Sequence, residues 1–210
     1  MKTATKLQFA AALLLVESTF AADIDVVVTD RNGDPVPDVV VYATGIGAPA
    51  NTDEVAIMDQ VDKAFSPHIL SVQKGTPVRF PNSDPVAHHV YSFSKPNAFS
   101  LPLYKGEEPD PVVFEHEGVV VLGCNIHDHM LGYILVIDSP VFEKTGKDGM
   151  ATLSVPASVD DLELRIWSPR IRDKEDVTVR RLQGDDGSPV SFELLKRLRP
   201  VHRQESWSDY

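Results

Sequence analysis

Short apolar runs with turn signals between them recur along the whole chain. IDVVVTD, PDVVVYA, HILSV, TPVRFPN, HHVYSFS, PVVFEHEG, VVVLGC, GYILVID, ATLSVP, LELRIWS, DVTVRRL and PVSFELL each read as a strand, rich in β-branched and aromatic residues. Sixteen prolines and twelve glycines punctuate them. No segment has the pattern of an amphipathic helix longer than two turns. The prediction is an all-β protein. A dozen strands are too many for one small sandwich, so two β-domains are expected.

The beginning of the chain departs from this pattern. In MKTATKLQFAAALLLVESTFAADID, Lys2 and Lys6 precede an apolar run, Leu7 to Val16. That run is roughly half the length of a membrane-spanning helix. Thr19 and Ala21 offer small residues at −3 and −1 for cleavage after Ala21. The expectation is a Sec-type signal peptide and a soluble periplasmic product with no membrane anchor after cleavage. The formal charge is −11, and removal of Lys2, Lys6 and Glu17 leaves −12. Such an acidic chain argues against nucleic acid as a partner.

Export sharpens the question of the single cysteine. In an oxidising compartment cysteines usually pair, and Cys124 has no mate in this chain. It could be a buried inert thiol, half of an intermolecular bridge, a nucleophile or a metal ligand. Its neighbours favour the last. GCNIHDHMLGY places His127, His129 and Met130 in the same loop, between strands VVVLGC and GYILVID. Thiolate, imidazole and thioether together suit copper, especially if a second imidazole arrives from elsewhere. PNSDPVAHHVYSF supplies one, because His88 and His89 follow the turn Asn82 to Pro85 and begin a strand. Neighbours on a strand point to opposite faces, so one of the two can face the Cys124 loop.

Cys124-x2-His127-x2-Met130 with an upstream histidine resembles the type 1 copper site of cupredoxins, with the short loop spacing of amicyanin. FSPHILSVQKGTPVRFPNSDPVAHHVYSF resembles the cupredoxin run of strand, Lys-Gly turn, strand ending in Asn, loop and first histidine ligand. The likeness covers roughly residues 55 to 138. It implies a Greek-key β-sandwich holding one mononuclear copper ion on His88, Cys124, His127 and axial Met130. It also implies an outer-sphere single-electron carrier rather than an enzyme. His127 would be the electron port, with Pro85, Met130 and Leu131 as an apolar rim. Two residues depart from the family. His89 stands where an Asn usually tethers the ligand loop. His129 adds an imidazole that either points to solvent or competes with Met130, as in red-copper proteins.

The flanking segments resemble something else. IDVVVTDRNGDPVPDVVVYATG and TGKDGMATLSVPASVDDLELRIWSPR are similar to the two parts of a carboxypeptidase-regulatory-like sandwich of the immunoglobulin or transthyretin type. The expected organisation is a signal at 1–21, first strands of this sandwich at 22–50 and the cupredoxin domain at 55–138. The sandwich then resumes at 139–200, and 201–210 forms a tail. The competing layout has the N-terminal strands join the cupredoxin sheet. The combined layout resembles proteins called methylamine utilization protein. A monomer serving a cytochrome c or a quinoprotein dehydrogenase is expected; copper buffering or delivery for copper tolerance is the alternative.

The remaining histidines, His68, His116 and His202, read as solvated or structural. Glu115-His116-Glu117 could hold a labile metal. DRNGDPVPD resembles a calcium loop only superficially, since Gly33 and Pro35 fall at the wrong positions, and it reads as a hairpin turn.

Overall fold

The computed structural model describes residues 21–47, 53–156, 161–183 and 189–200. The protein is all-β. Its strands are β1 (Ala21–Asp30), β2 (Val40–Thr44), β3 (Ala56–Ile57), β4 (Asp59–Val61), β5 (Ala64–Ser66) and β6 (Ile69–Gln73). Then come β7 (Pro77–Arg79), β8 (Tyr91–Ser92), β9 (Phe99–Ser100), β10 (Val112–Val113), β11 (Gly118–Gly123) and β12 (Leu131–Ile137). The last are β13 (Phe142–Lys144), β14 (Met150–Pro156), β15 (Asp161–Trp167), β16 (Val179–Gln183) and β17 (Val190–Leu194). One helical turn, α1 (Glu175–Thr178), precedes β16.

Four sheets stack in order, and their strands come from interleaved parts of the chain. The first has the order β14-β1-β17, the second β13-β2-β15-β16, the third β6-β12-β11-β8-β9 and the fourth β10-β7-β3. The β4–β5 hairpin stands apart. The first two sheets enclose one core, to which β1 gives Val26 and Val28, β2 gives Val41 and Ala43, and β17 gives Phe192. The third and fourth enclose another, with Val78, Val120, Leu122, Ile134 and Val136. A smaller apolar layer of Val40, Ile69, Leu135 and Ile137 joins the second sheet to the third. β2 therefore sends Val41 to one core and Val40 to the joint, and β12 sends Ile134 to one core and Leu135 to the joint. Burial on both faces explains why VVVY and YILVI are continuous apolar runs rather than alternating ones. Each such side chain removed from water contributes about 1.5–3 kcal/mol.

The N-terminal strands do not enter the third sheet. β1 runs antiparallel to β14 and parallel to β17, while β2 lies between β13 and β15. DRNGDPVPD is a turn, but not a hairpin between paired strands, because β1 and β2 lie in facing sheets. Asp30 holds the turn through Oδ1, which accepts from the amides of Asn32 at 2.8 Å and Asp34 at 3.1 Å.

Several predicted strands are shorter or different. Of PVVFEHEG, Val112–Val113 forms β10 and the final Gly118 already belongs to β11. In DVTVRRL the first part is helical, since Glu175 and Asp176 suit a helix start and the Thr178 hydroxyl bonds back to the carbonyls of Lys174 and Glu175. His88 does not begin a strand. It makes an isolated bridge with Tyr104, and β8 starts at Tyr91.

Candidate metal centre

Two loops at one end of the third sheet bring the chemistry together. β11 ends at Gly123 and β12 starts at Leu131, and these two residues face each other in the antiparallel register. The seven residues between them are thus closed at the base by a strand pair. Inside the loop the Met130 amide donates to the His127 carbonyl at 2.9 Å, forming a tight turn. Cys124 and Met130, at the loop's two ends, both pack in the core between the third and fourth sheets. His127, at the loop's middle, is half-buried.

The second loop carries His88. Asn82 builds it: its side-chain amide donates to the carbonyls of Val86 at 2.9 Å and Tyr104 at 3.0 Å, and its Oδ1 accepts from the Asp84 amide at 3.0 Å. The backbones of His88 and Tyr104 exchange two hydrogen bonds of 3.0 Å. Tyr104 is itself fixed, because its hydroxyl donates to the Phe80 carbonyl beside the buried Gln60 amide. Burial pushes the Tyr104 phenol up to about 12, so it stays a donor throughout the ordinary pH range.

His88 has no exposed surface. Its Nε2 lies 2.6 Å from Asp84 Oδ2, and its Nδ1 points the other way, toward His127 and Cys124. Asp84 is held in turn by the β4–β5 hairpin. Asp62 and Lys63, at φ of 54° and 57°, form the left-handed turn of that hairpin. Their amides donate to the two Asp84 oxygens at 2.6 and 2.8 Å. Burial pushes the Asp84 carboxyl up, but the Lys63 amide, His88 and the Asp62 amide together outweigh it and leave it below the usual carboxylate range. A carboxylate at Nε2 orients the ring and fixes its tautomer, leaving the Nδ1 lone pair for a ligand.

His88 Nδ1, His127 Nδ1 and Cys124 Sγ form a triangle with sides of 3.1, 3.8 and 3.9 Å. A circle through such a triangle has a radius of about 2.1 Å, the reach of a metal–nitrogen bond and close to that of a metal–sulfur bond (about 2.0 and 2.3 Å). Among the described residues, these three form the group of His, Cys, Asp or Glu side chains that could hold one metal ion. Burial pulls the His127 imidazole down, helped by the neighbouring His88 and His129, so the ring is neutral and free to bind a metal at neutral pH. The residues fit a copper ion: a thiolate and two imidazoles in one plane, with a buried thioether in the same loop.

The other sequence-predicted residues fall elsewhere. Met130 is 2% exposed and packs in the same core as Cys124, so it lies inside rather than on an apolar rim. Leu131 begins β12 and is half-buried. The exposed apolar residues of the two loops are Pro85, Val86 and Ile126. His129 is outside the three-residue group, its ring centre 6.0 Å from that of His127. His89 faces away from the ligand loop. Its Nε2 is 3.1 Å from the Ser100 hydroxyl, and its ring lies against Tyr91. Among the described residues its ring makes no hydrogen bond to the ligand loop. His68 stacks edge-on against Tyr133, Glu115, His116 and Glu117 are exposed, and His202 lies outside the described residues. Sequence reasoning passed over Asp84, though its place four residues before His88 in DPVAH was a usable signal.

No protein-family model and no curated protein matches the chain by sequence. Partial likenesses to solved structures exist. The copper-containing nitrite reductase (NirK) from Thermus scotoductus SA-01 is 26% identical at a TM-score of 0.38, covering 52% of this chain; the match spans only 28% of the reductase. A purple cupredoxin from Nitrosopumilus maritimus is 26% identical at 0.35, covering 39% of this chain and 98% of its own. A reduced Cu(I) form of an amicyanin variant is 20% identical at 0.37, covering 46% and 97%. Each likeness is partial, and it is the side chains of His88, Cys124 and His127 that make this end of the sheet a candidate metal centre. Among the described residues no helix is long and apolar enough to cross a membrane.

Proposed function

We propose that this protein is a periplasmic cupredoxin that carries single electrons through a type 1 copper site formed by His88, Cys124, His127 and axial Met130. The observation that supports this most is the convergence of both Nδ1 atoms and Sγ on one metal-sized triangle. Bound copper supplies a one-electron couple between Cu(I) and Cu(II). The chain's contribution is a frame that hardly moves. Cys124 and Met130 are set by the β11–β12 strand pair, and His88 is set by Tyr104 and Asp84. A rigid ligand set keeps rearrangement small when charge changes. His88 is sealed from solvent and His127 is not, so the His127 edge is the proposed electron port, with Ile126, Pro85 and Val86 as the apolar surface around it. A cytochrome c or a quinoprotein dehydrogenase is the proposed partner class. The paired flanking sheets are proposed to be the carboxypeptidase-regulatory-like module, and residues 1–21 the export signal.

Copper capture and delivery is the weaker reading, because His89 and His129 lie outside the ligand group. Visible spectroscopy of the Cu(II)-loaded mature protein separates the two. An intense charge-transfer band that disappears in Cys124→Ser is expected. A colourless protein whose copper affinity survives Cys124→Ser would overturn the proposal. His129→Ala should leave the band unmoved if Met130 is the axial ligand.

A further inference from the structure

The formal charge is −11, yet six cationic side chains line one cleft of about 650 Å³ formed by the segments that follow β1, β15 and β17: Arg31, Arg170, Arg172, Lys196, Arg197 and Arg199. Elsewhere Lys74, Arg79, Lys144, Arg165 and Arg181 each meet a carboxylate. Among the described residues none of the six in the cleft does. Asp30 is the one carboxylate on the wall, and its Oδ1 already accepts from two backbone amides.

Local sequence assembles these charges. In Arg170-Ile171-Arg172 and Arg197-Leu198-Arg199 the central apolar residue packs on the sandwich core. The flanking arginines are thereby left at the surface. The two segments are fastened together. The Arg199 amide donates to the Arg170 carbonyl at 2.8 Å, and the guanidiniums of Arg170 and Arg199 donate to the carbonyls of Arg199 and Pro169 at 3.2 and 3.0 Å. Lys196 Nζ donates to the Arg172 carbonyl at 3.3 Å. Asp30 lies on the wall and the Asp173 carboxylate accepts from the Lys196 amide at 3.2 and 3.3 Å, but two carboxylates face six cations, so like charge is held close in an excess that an oxyanion relieves. Guanidinium forks match phosphate oxygens bidentately.

We propose that this cleft binds a small soluble ligand carrying two or more phosphate groups. Its volume is that of a small-molecule site. Extended polyanions fit less well, because the strongly negative remainder of the surface repels them. The proposal is independent of the metal centre.

Inorganic pyrophosphate, titrated calorimetrically into the full mature protein, tests it. Saturable binding at one site is expected, weakened by about a thousandfold or more in Arg31→Gln/Arg172→Gln/Arg197→Gln, since each charge-assisted hydrogen bond is worth about 1.5–3 kcal/mol. Among the described residues those three guanidiniums hold no backbone carbonyl, so the variant should keep its thermal transition; if it does not, Arg172→Gln and Arg197→Gln singly should each weaken binding by about tenfold. Absence of saturable binding, binding unchanged in these variants, or citrate bound as tightly as pyrophosphate would each overturn the proposal. So would association with phosphatidylglycerol vesicles in the absence of pyrophosphate binding, which would assign the cleft to a lipid surface instead.

Discussion

At the residue scale, the site depends on one carboxylate that touches no predicted ligand except His88. Asp84 is joined to the Asp62-Lys63 turn on one side and to His88 Nε2 on the other. Removing it leaves the His88 ring without its orienting partner and two turn amides without an acceptor. Asp84→Ala is expected to weaken copper binding by roughly 10- to 100-fold, measured by competition with a chelator of known affinity. A variant that binds as tightly as the parent would show that Tyr104 alone positions His88. The meeting of His88, Cys124 and His127 was legible in the sequence, because two of them share one short loop and the third follows a turn signal. Asp84 was not, since its partners Asp62 and Lys63 lie over twenty residues away and meet it only through the β4–β5 hairpin. The roles of His88 and His89 were separable in principle by strand alternation, but what His89 meets, Ser100 and Tyr91, depended on a pairing that no local pattern announces.

At the element scale, β12 carries a tight steric constraint. A Cβ on Gly132 would stand 2.8 Å from the Phe65 Cβ, and Phe65 is buried with no room to retreat. Gly132→Ala should destabilise the fold by about 1–3 kcal/mol, the usual cost of overpacking, in chemical denaturation. Because Met130 lies two residues away, the variant's copper charge-transfer band should also shift. A second element-level contact is polar. Glu163 on β15 faces Arg181 on β16 in register and also meets Arg165, and those two guanidiniums hold its carboxyl below the usual range. A depressed folded value means that the stabilisation is present above about pH 4.5, the ordinary glutamate value, and is lost as the pH falls below it. Glu163→Gln should therefore cost about 0.5 kcal/mol at pH 7, as an exposed cross-strand pair does. The difference from the parent should vanish in acid, which denaturant titrations at pH 7 and pH 3 can read. The long runs on β1, β11, β12, β14 and β15 were legible from their composition. Of the two-residue strands, β8 and β10 fall inside the longer runs HHVYSFS and PVVFEHEG, whereas β3 and β9 went unread, because so few positions hold no periodicity.

At the scale of the whole molecule, the question is whether the two sandwiches are one thermodynamic unit. β2 and β12 each serve two apolar layers, so neither core can open without exposing residues of the joint formed by Val40, Ile69, Leu135 and Ile137. Strands from both ends of the chain also complete the same sheet, since β1 lies between β14 and β17. Loss of either end therefore removes partners from the sandwich that frames the metal-binding half. One calorimetric transition is expected, with equal calorimetric and van't Hoff enthalpies. Copper should move that entire transition upward by mass action, by about 2.7 kcal/mol at a free concentration one hundred times the dissociation constant. Leu135→Ala, at the joint, should lower it by about 2–5 kcal/mol without touching the ligand triangle. Two transitions in the parent, with copper shifting only one, would mean that the joint is too thin to couple the halves. The flanking sandwich would then be a separately folding passenger rather than part of the frame that holds His88, Cys124 and His127 in place.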